Sequence, residues 1–116
     1  MVQGVVLHMS NREAWKSQER YVAAMMGGKR VPVTGRDRGD VPDILHPSFS
    51  VEVKAGRNAL SAATIKLAQA QAHASSVKDG KEPISVHVQT SGRGKPREAY
   101  VVWKLERFCD YFGLGA

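Results

Sequence analysis

The strongest constraint on this chain is the way its apolar periodicity changes along its length. Ile84-Ser85-Val86-His87-Val88 alternates apolar and polar residues at period two, and Ala99, Val101, Trp103 and Leu105 repeat the pattern. Alternation of that kind describes half-buried strands. Upstream, Val41–Leu45 and Phe49–Lys54 read as two more strands, joined around His46-Pro47-Ser48-Phe49, where proline suits the second position of a four-residue turn. Between these pairs lies Ser61–Val77, rich in alanine and carrying Ile65, Leu67, Gln69 and Gln71. Its Ala-Gln-Ala-Gln-Ala run alternates like a strand, yet alanine is the best helix former and is depleted in strands, so a helix is predicted. Asp79-Gly80 and Pro83 close it.

An N-terminal helix is signalled by Ser10-Asn11-Arg12-Glu13, which has the spacing of a capping box, and Gly27-Gly28 stops it after about Met26. Lys29–Val33 is a short strand-like run, followed by a polar loop over 34–40. Ser91–Arg97 is a glycine-rich hairpin tip with three cations, and Glu106–Phe112 a short terminal helix. The expected fold is a small α/β domain, a central mixed β-sheet flanked by helices, spanning 1–116 as one unit.

Composition narrows the function. No apolar run approaches the roughly 20 residues that span a bilayer. Met1–Met9 lacks a basic start and a long apolar stretch, so no secretory leader and a cytoplasmic location are expected. A single cysteine, Cys109, allows neither an internal disulfide nor a multi-cysteine zinc site, and His8, His46, His73 and His87 lack metal-ligand spacing. A net charge of +6 favours a polyanionic partner, nucleic acid or an anionic membrane face.

The chemistry concentrates between Pro42 and Lys54. Residues two apart on a strand share a face, so Glu52 and Lys54 project to one side while Val51 and Val53 project to the other. A turn centred on Pro47-Ser48 sets Leu45 opposite Ser50, Ile44 opposite Val51 and Asp43 opposite Glu52. Two facing carboxylates are destabilising unless something compensates. A hard divalent cation such as Mg²⁺ does so, with Lys54 beside it to hold water or phosphate. In the plainer alternative, Glu52 and Lys54 form a solvated strand face and Asp43 a strand cap.

On the first helix two inward stripes compete. Trp15, Val22 and Met26 share one with Glu19, which would bury a carboxylate; Ala14, Gln18, Tyr21 and Met25 form the other, which leaves Glu19 in solvent. The segment by itself favours the second.

Pro42-Asp43 followed by Glu52-Val53-Lys54 resembles the signature of the PD-(D/E)XK nuclease superfamily, and the surroundings resemble archaeal-type Holliday-junction resolvases and their phage-encoded relatives. Glu19-Arg20 ahead of Gly27-Gly28 matches the acidic residue of that branch's first helix. Gln71, or Gln69, matches a glutamine in the helix after the lysine. The likeness covers about Lys16 to Val102, and this chain is shorter than many resolvases and carries extra acids in its 36–40 loop. It implies a restriction-endonuclease-like core in which Asp43, Glu52 and the carbonyl of Val53 bind Mg²⁺, with Mn²⁺ as a substitute. Lys54 would position or polarise the attacking water, and Gln71 would orient Lys54 or the phosphate. Glu19 would then point into the site, holding a second metal or a water, which reverses the stripe favoured by the segment alone.

Basic residues supply the expected DNA grip: Lys29, Arg30, Arg36, Arg38 and Arg57 around the acids, and Arg93, Lys95 and Arg97 at the hairpin tip. Contacts to phosphate position a protein without reading sequence, so recognition of DNA structure is expected. A four-way junction offers two symmetry-related strands, which suits a homodimer. Trp103, Phe108, Tyr111 and Phe112 are candidates for that interface, with core packing the expected use of at least Trp103. The expected function is therefore a Mg²⁺-dependent endodeoxyribonuclease acting on Holliday junctions, in a bacterial or phage-infected cytoplasm. The alternatives are a duplex- or flap-directed nuclease and a non-catalytic nucleic-acid-binding module.

Overall fold

The computed structural model describes residues 11–32, 41–90 and 95–115. Three helices and five strands follow in the order α1 (Asn11–Met26), β1 (Lys29–Arg30), β2 (Ile44–Leu45), β3 (Phe49–Gly56), α2 (Ala62–Asp79), β4 (Glu82–Gln89), β5 (Glu98–Val102) and α3 (Leu105–Phe112). The strands form one mixed sheet in chain order, β1-β2-β3-β4-β5. Only β3 and β4 run parallel, because only they are joined by a helical crossover; the other neighbours pair antiparallel. No described helix is long and apolar enough to cross a membrane.

The expected register between β2 and β3 holds, with Ile44 opposite Val51 and Leu45 opposite Ser50. On β3 and β4, Val51 pairs with Ile84, Val53 with Val86 and Ala55 with Val88, so these apolar side chains share a face. Val22 and Ala23 of α1 close that face, making a core with Ile44, Val51, Val53, Ile84, Val86 and Val88. The opposite face carries Ser50, Glu52 and Lys54 beside Pro83, Ser85 and His87. There α2 presents Ala68, Ala72, Ser75 and Ser76, small residues that let the helix sit close over polar strand positions. Both faces of β4 are therefore buried, where its alternation predicts a half-buried strand.

On α1, Glu19 is fully buried beside Val22 while Met25 is 71% exposed. The stripe favoured by the segment alone is thus overturned: the sheet needs Val22 and Ala23 as its cover, and Glu19 turns inward with them. The first strand is shorter than expected, ending before Pro32, which has no N–H to give a ladder. β5 also ends early, at Val102, and α3 begins at Leu105. The 34–40 loop and most of the hairpin tip lie outside the described residues.

Local chemistry explains the ends of α2. Ser61 Oγ accepts the Thr64 N–H at 3.2 Å, and Gly80, at φ 72°, donates its N–H to Ser76 O at 2.8 Å. At the C-terminus, Trp103 packs edge-to-face on Phe49 and Phe108, with ring centroids 5.3 and 5.2 Å apart. Its Nε1–H and Arg107 both donate to Glu82, at 2.9 and 2.8 Å. Trp103 is thus half-buried packing, while Phe112 and Leu114 stay exposed.

Where α1 ends, a Cβ on Gly28 would lie 2.5 Å from Leu45 O and 2.8 Å from Ile44 Cγ2. The chain passes over β2 at backbone distance, and the obstacle is backbone that cannot rotate away. Gly28→Ala is expected to destabilise the fold by about 1–3 kcal/mol, as overpacking does. Urea unfolding of the variant beside wild type measures the loss; an unchanged midpoint would show that α1 has room to lift.

Candidate active site

The site is organised by Asp43. Its backbone N–H donates to Val51 O at 2.9 Å, its C=O accepts the Val31 N–H at 2.8 Å, and its Oδ2 accepts the Val53 N–H at 2.8 Å. Asp43 lies beyond the two paired residues of β2, so it does not face Glu52 as one more ladder pair. It brackets Glu52 instead, bonding the residue on either side of it. The carboxylate takes an amide that a longer β2 would have used, which fixes Asp43 against β3. Asp43 is 4% exposed and Glu52 9%.

Lys54 follows Glu52 on the same face and is half-buried. Its neighbour across β4 is His87. His87 is fully buried, with Nδ1 2.6 Å from Ala59 O and Nε2 2.7 Å from Ser85 Oγ. A carbonyl only accepts, so Nδ1 carries the proton and Nε2 accepts from Ser85. Gln69 Nε2 completes the chain, donating to Ser85 Oγ at 2.7 Å and to Val102 O at 3.0 Å. Burial, first, and the Lys54 charge hold the imidazole below its ordinary pKa of 6.5, against the Ala59 hydrogen bond, which raises it. This hydrogen-bond chain is not visible in the sequence. Ser85 and His87 were legible as one strand face, but their place beside Glu52 and Lys54 depends on the β3–β4 register.

The two glutamines of α2 separate by geometry. With Ala68 and Ala72 at the centre of the buried face, Gln69 and Gln71 fall on opposite flanks. Gln69 reaches β5, so Gln71 takes the β3 flank. Its Oε1 is buried without a hydrogen-bond partner among the described residues.

Glu19 and Arg30 find each other. Arg30 Nε donates to Glu19 Oε1 at 2.7 Å, and the guanidinium lies 5.9 Å from the Trp15 ring centroid. Among the described residues, no three His, Cys, Asp or Glu side chains gather as one ligand group. The cation set is dispersed. Lys29 and Arg57 are exposed on β1 and after β3, and Lys95 is exposed near β5. Arg97 lies over Tyr21 at 4.3 Å and donates to Gln18 Oε1 at 3.1 Å, which ties the hairpin to α1. Arg36, Arg38 and Arg93 lie outside the described residues.

The buried imidazole gives a pH signature. Because His87 is held neutral, the unfolded chain binds its extra proton first, and stability falls as pH drops below about 6.5. Glu82 behaves differently: burial raises its pKa, but the Arg107 and Trp103 hydrogen bonds and the Arg107 charge outweigh this and lower it below 4.5. Its contribution is lost only at more acid pH. Urea midpoints measured from pH 7.5 to 5.5 are expected to fall, the unfolding free energy dropping by at most about 1.4 kcal/mol per pH unit for one proton. His87→Gln should start less stable and flatten that window. An equal slope in the variant would place the titrating group elsewhere.

Compared with family models, with curated proteins and with solved structures, this chain matches none.

Proposed function

We propose that this protein is a Mg²⁺-dependent endodeoxyribonuclease that hydrolyses phosphodiesters in branched DNA, with the four-way junction as substrate and a homodimer as the working form. The observation that carries the reading is the clasp of Asp43 on β3. It holds the Asp43 carboxylate on the amide of Val53, the residue between Glu52 and Lys54 on β3.

The donor set suits the ion. Asp43, Glu52 and the carbonyl of Val53 are hard oxygen donors, and Mg²⁺ is commonly held by one or two carboxylates together with substrate phosphates. When bound, the ion supplies Lewis-acid charge neutralisation at the phosphodiester. The protein's own groups do the rest. Lys54 holds and polarises a water against the phosphorus, so that a new P–O bond forms as the ester P–O bond breaks. Gln71, with its Oε1 unpartnered among the described residues, orients Lys54 or the phosphate. Glu19 is engaged by Arg30. The surplus of +6 supports phosphate contacts, with Lys29, Arg57 and Lys95 exposed for them.

The test incubates the purified protein with labelled four-way junction, matched duplex and single-stranded DNA, with and without Mg²⁺ or Mn²⁺. Junction cleavage that requires the metal is expected. Equal cutting of linear duplex would overturn junction selectivity and leave a general nuclease. Binding without cleavage in either metal would make this a nucleic-acid-binding module.

Two consequences separate the roles of the residues. Asp43→Asn, Glu52→Gln and Lys54→Ala should each lower the cleavage rate by about a hundredfold or more, the scale at which removing one transition-state stabiliser acts. Asp43→Asn should leave junction affinity unreduced, since it removes a negative charge from the surface that meets DNA. Gel-shift titration in Ca²⁺ beside the cleavage assay measures both. Full metal-dependent activity in Asp43→Asn or Lys54→Ala would refute the site assignment.

A further inference from the structure

A cavity of about 590 Å³ opens between α2 and the turn from β5 into α3, apart from the Asp43–Glu52 site. Its size falls in the range of small-ligand sites. Ile65, Pro83, Val102 and Trp103 give it apolar walls, and Lys66 and Lys104 line it as exposed cations. Neither lysine forms an ion pair among the described residues. Arg107 also lines the cavity, but its guanidinium is answered by Glu82, and Glu106 is the one carboxylate present. The occupant these walls suit is flat and apolar in its body and anionic at one end.

Two polar details narrow it. The Trp103 ring is fixed in place by its Nε1–H bond to Glu82 and by its edge contacts to Phe49 and Phe108. Gln69, which also lines the cavity, spends its Nε2 on Ser85 Oγ and Val102 O. The carbonyl of Val102 cannot donate, so the amide cannot flip, and Oε1 is left as an acceptor of settled identity. An acceptor beside apolar walls suits a ring bearing an exocyclic amino group.

We propose that this cavity is a nucleotide site: it takes one unpaired nucleotide with an amino-bearing base, the base against Val102 and Trp103 and the phosphate between Lys66 and Lys104. The choice of a nucleotide among aromatic anions rests on the DNA-directed function proposed above. Its placement fits that function. Glu52 pairs with Ser85 on β4, and Ser85 with Val102 on β5. Two strand spacings make about 10 Å in the plane of the sheet. That is about three nucleotide steps at B-form rise. Only a base outside a duplex stack can enter such a cavity, and a base that is already unpaired does so at least cost.

The test uses the full chain with Trp15→Phe, so that Trp103 is the only indole, in EDTA so that no cleavage occurs. The probes are a deoxyadenosine pentanucleotide, the same strand with abasic sugars, dAMP and an acidic aromatic peptide. The adenosine strand is expected to quench Trp103 saturably and to bind at least tenfold tighter than the abasic strand. Lys66→Glu with Lys104→Glu should weaken it at least tenfold while the thermal unfolding midpoint stays unchanged. Equal binding of the abasic strand, or no effect of the double charge reversal, would overturn the proposal. Tighter binding of dAMP than of the strand would make the cavity a free-nucleotide site, and binding of the peptide alone would make it a protein-docking site; either overturns the DNA assignment. Base-dependent quenching without junction cleavage would refute only the nuclease reading, and cleavage without quenching only this site.

Discussion

The hydrogen bond from the Val53 amide to the Asp43 carboxylate holds the rest of the arrangement in place. A two-residue β2 supplies little pairing of its own, and a buried strand amide left without an acceptor would cost about 1–3 kcal/mol. Asp43 answers that amide with a side chain, which ends the regular ladder while keeping the hairpin closed. The same act brings an acidic group to the middle of β3. The interaction that finishes the sheet thus also fixes an acidic side chain at Val53, between Glu52 and Lys54.

Around that point the sheet is sorted by face. Aliphatic residues of β3 and β4 meet α1, and polar residues of the same strands meet α2. The polar layer is made habitable by small residues on the helix and by hydrogen bonds that run without a break from Gln69 through Ser85 and His87 to Ala59. Every member of that chain has a settled donor or acceptor role, whereas Ser50 Oγ and Gln71 Oε1 are buried without a hydrogen-bond partner among the described residues. Lys54 sits beside it as a cation next to a ring held neutral.

Much of this was legible in the sequence. The paired glycines, the alanine-rich helix and the period-two runs placed the described elements in order, and Pro47 fixed the register that pairs Ile44 with Val51, while the capping box at Ser10 lies outside the described residues. What escaped depended on contacts between distant segments. Nothing in Asn11–Met26 alone reveals that Val22 and Ala23 are needed as cover for β3 and β4, so Glu19 reads as solvated until the sheet is present. Asp43 reads as a ladder partner of Glu52, because alternation extends the register past the point where a side chain replaces the backbone. His87 reads as an outward strand residue, because period two does not tell which faces are covered.

The parallel junction between β3 and β4 has a consequence for how the chain reaches this state. The β2–β3 and β4–β5 pairs form between near neighbours in sequence, whereas β3 and β4 meet only after residues 57–81 have folded back across them. Contacts of that separation are entropically slow to close. Until they close, Glu52 and Lys54 remain hydrated on an uncovered strand, and the step that docks α2 is also the step that strips their water. The slow event of folding and the drying of the charged face are therefore one event, so the rate at which the protein folds is set in part by the cost of covering Glu52 and Lys54.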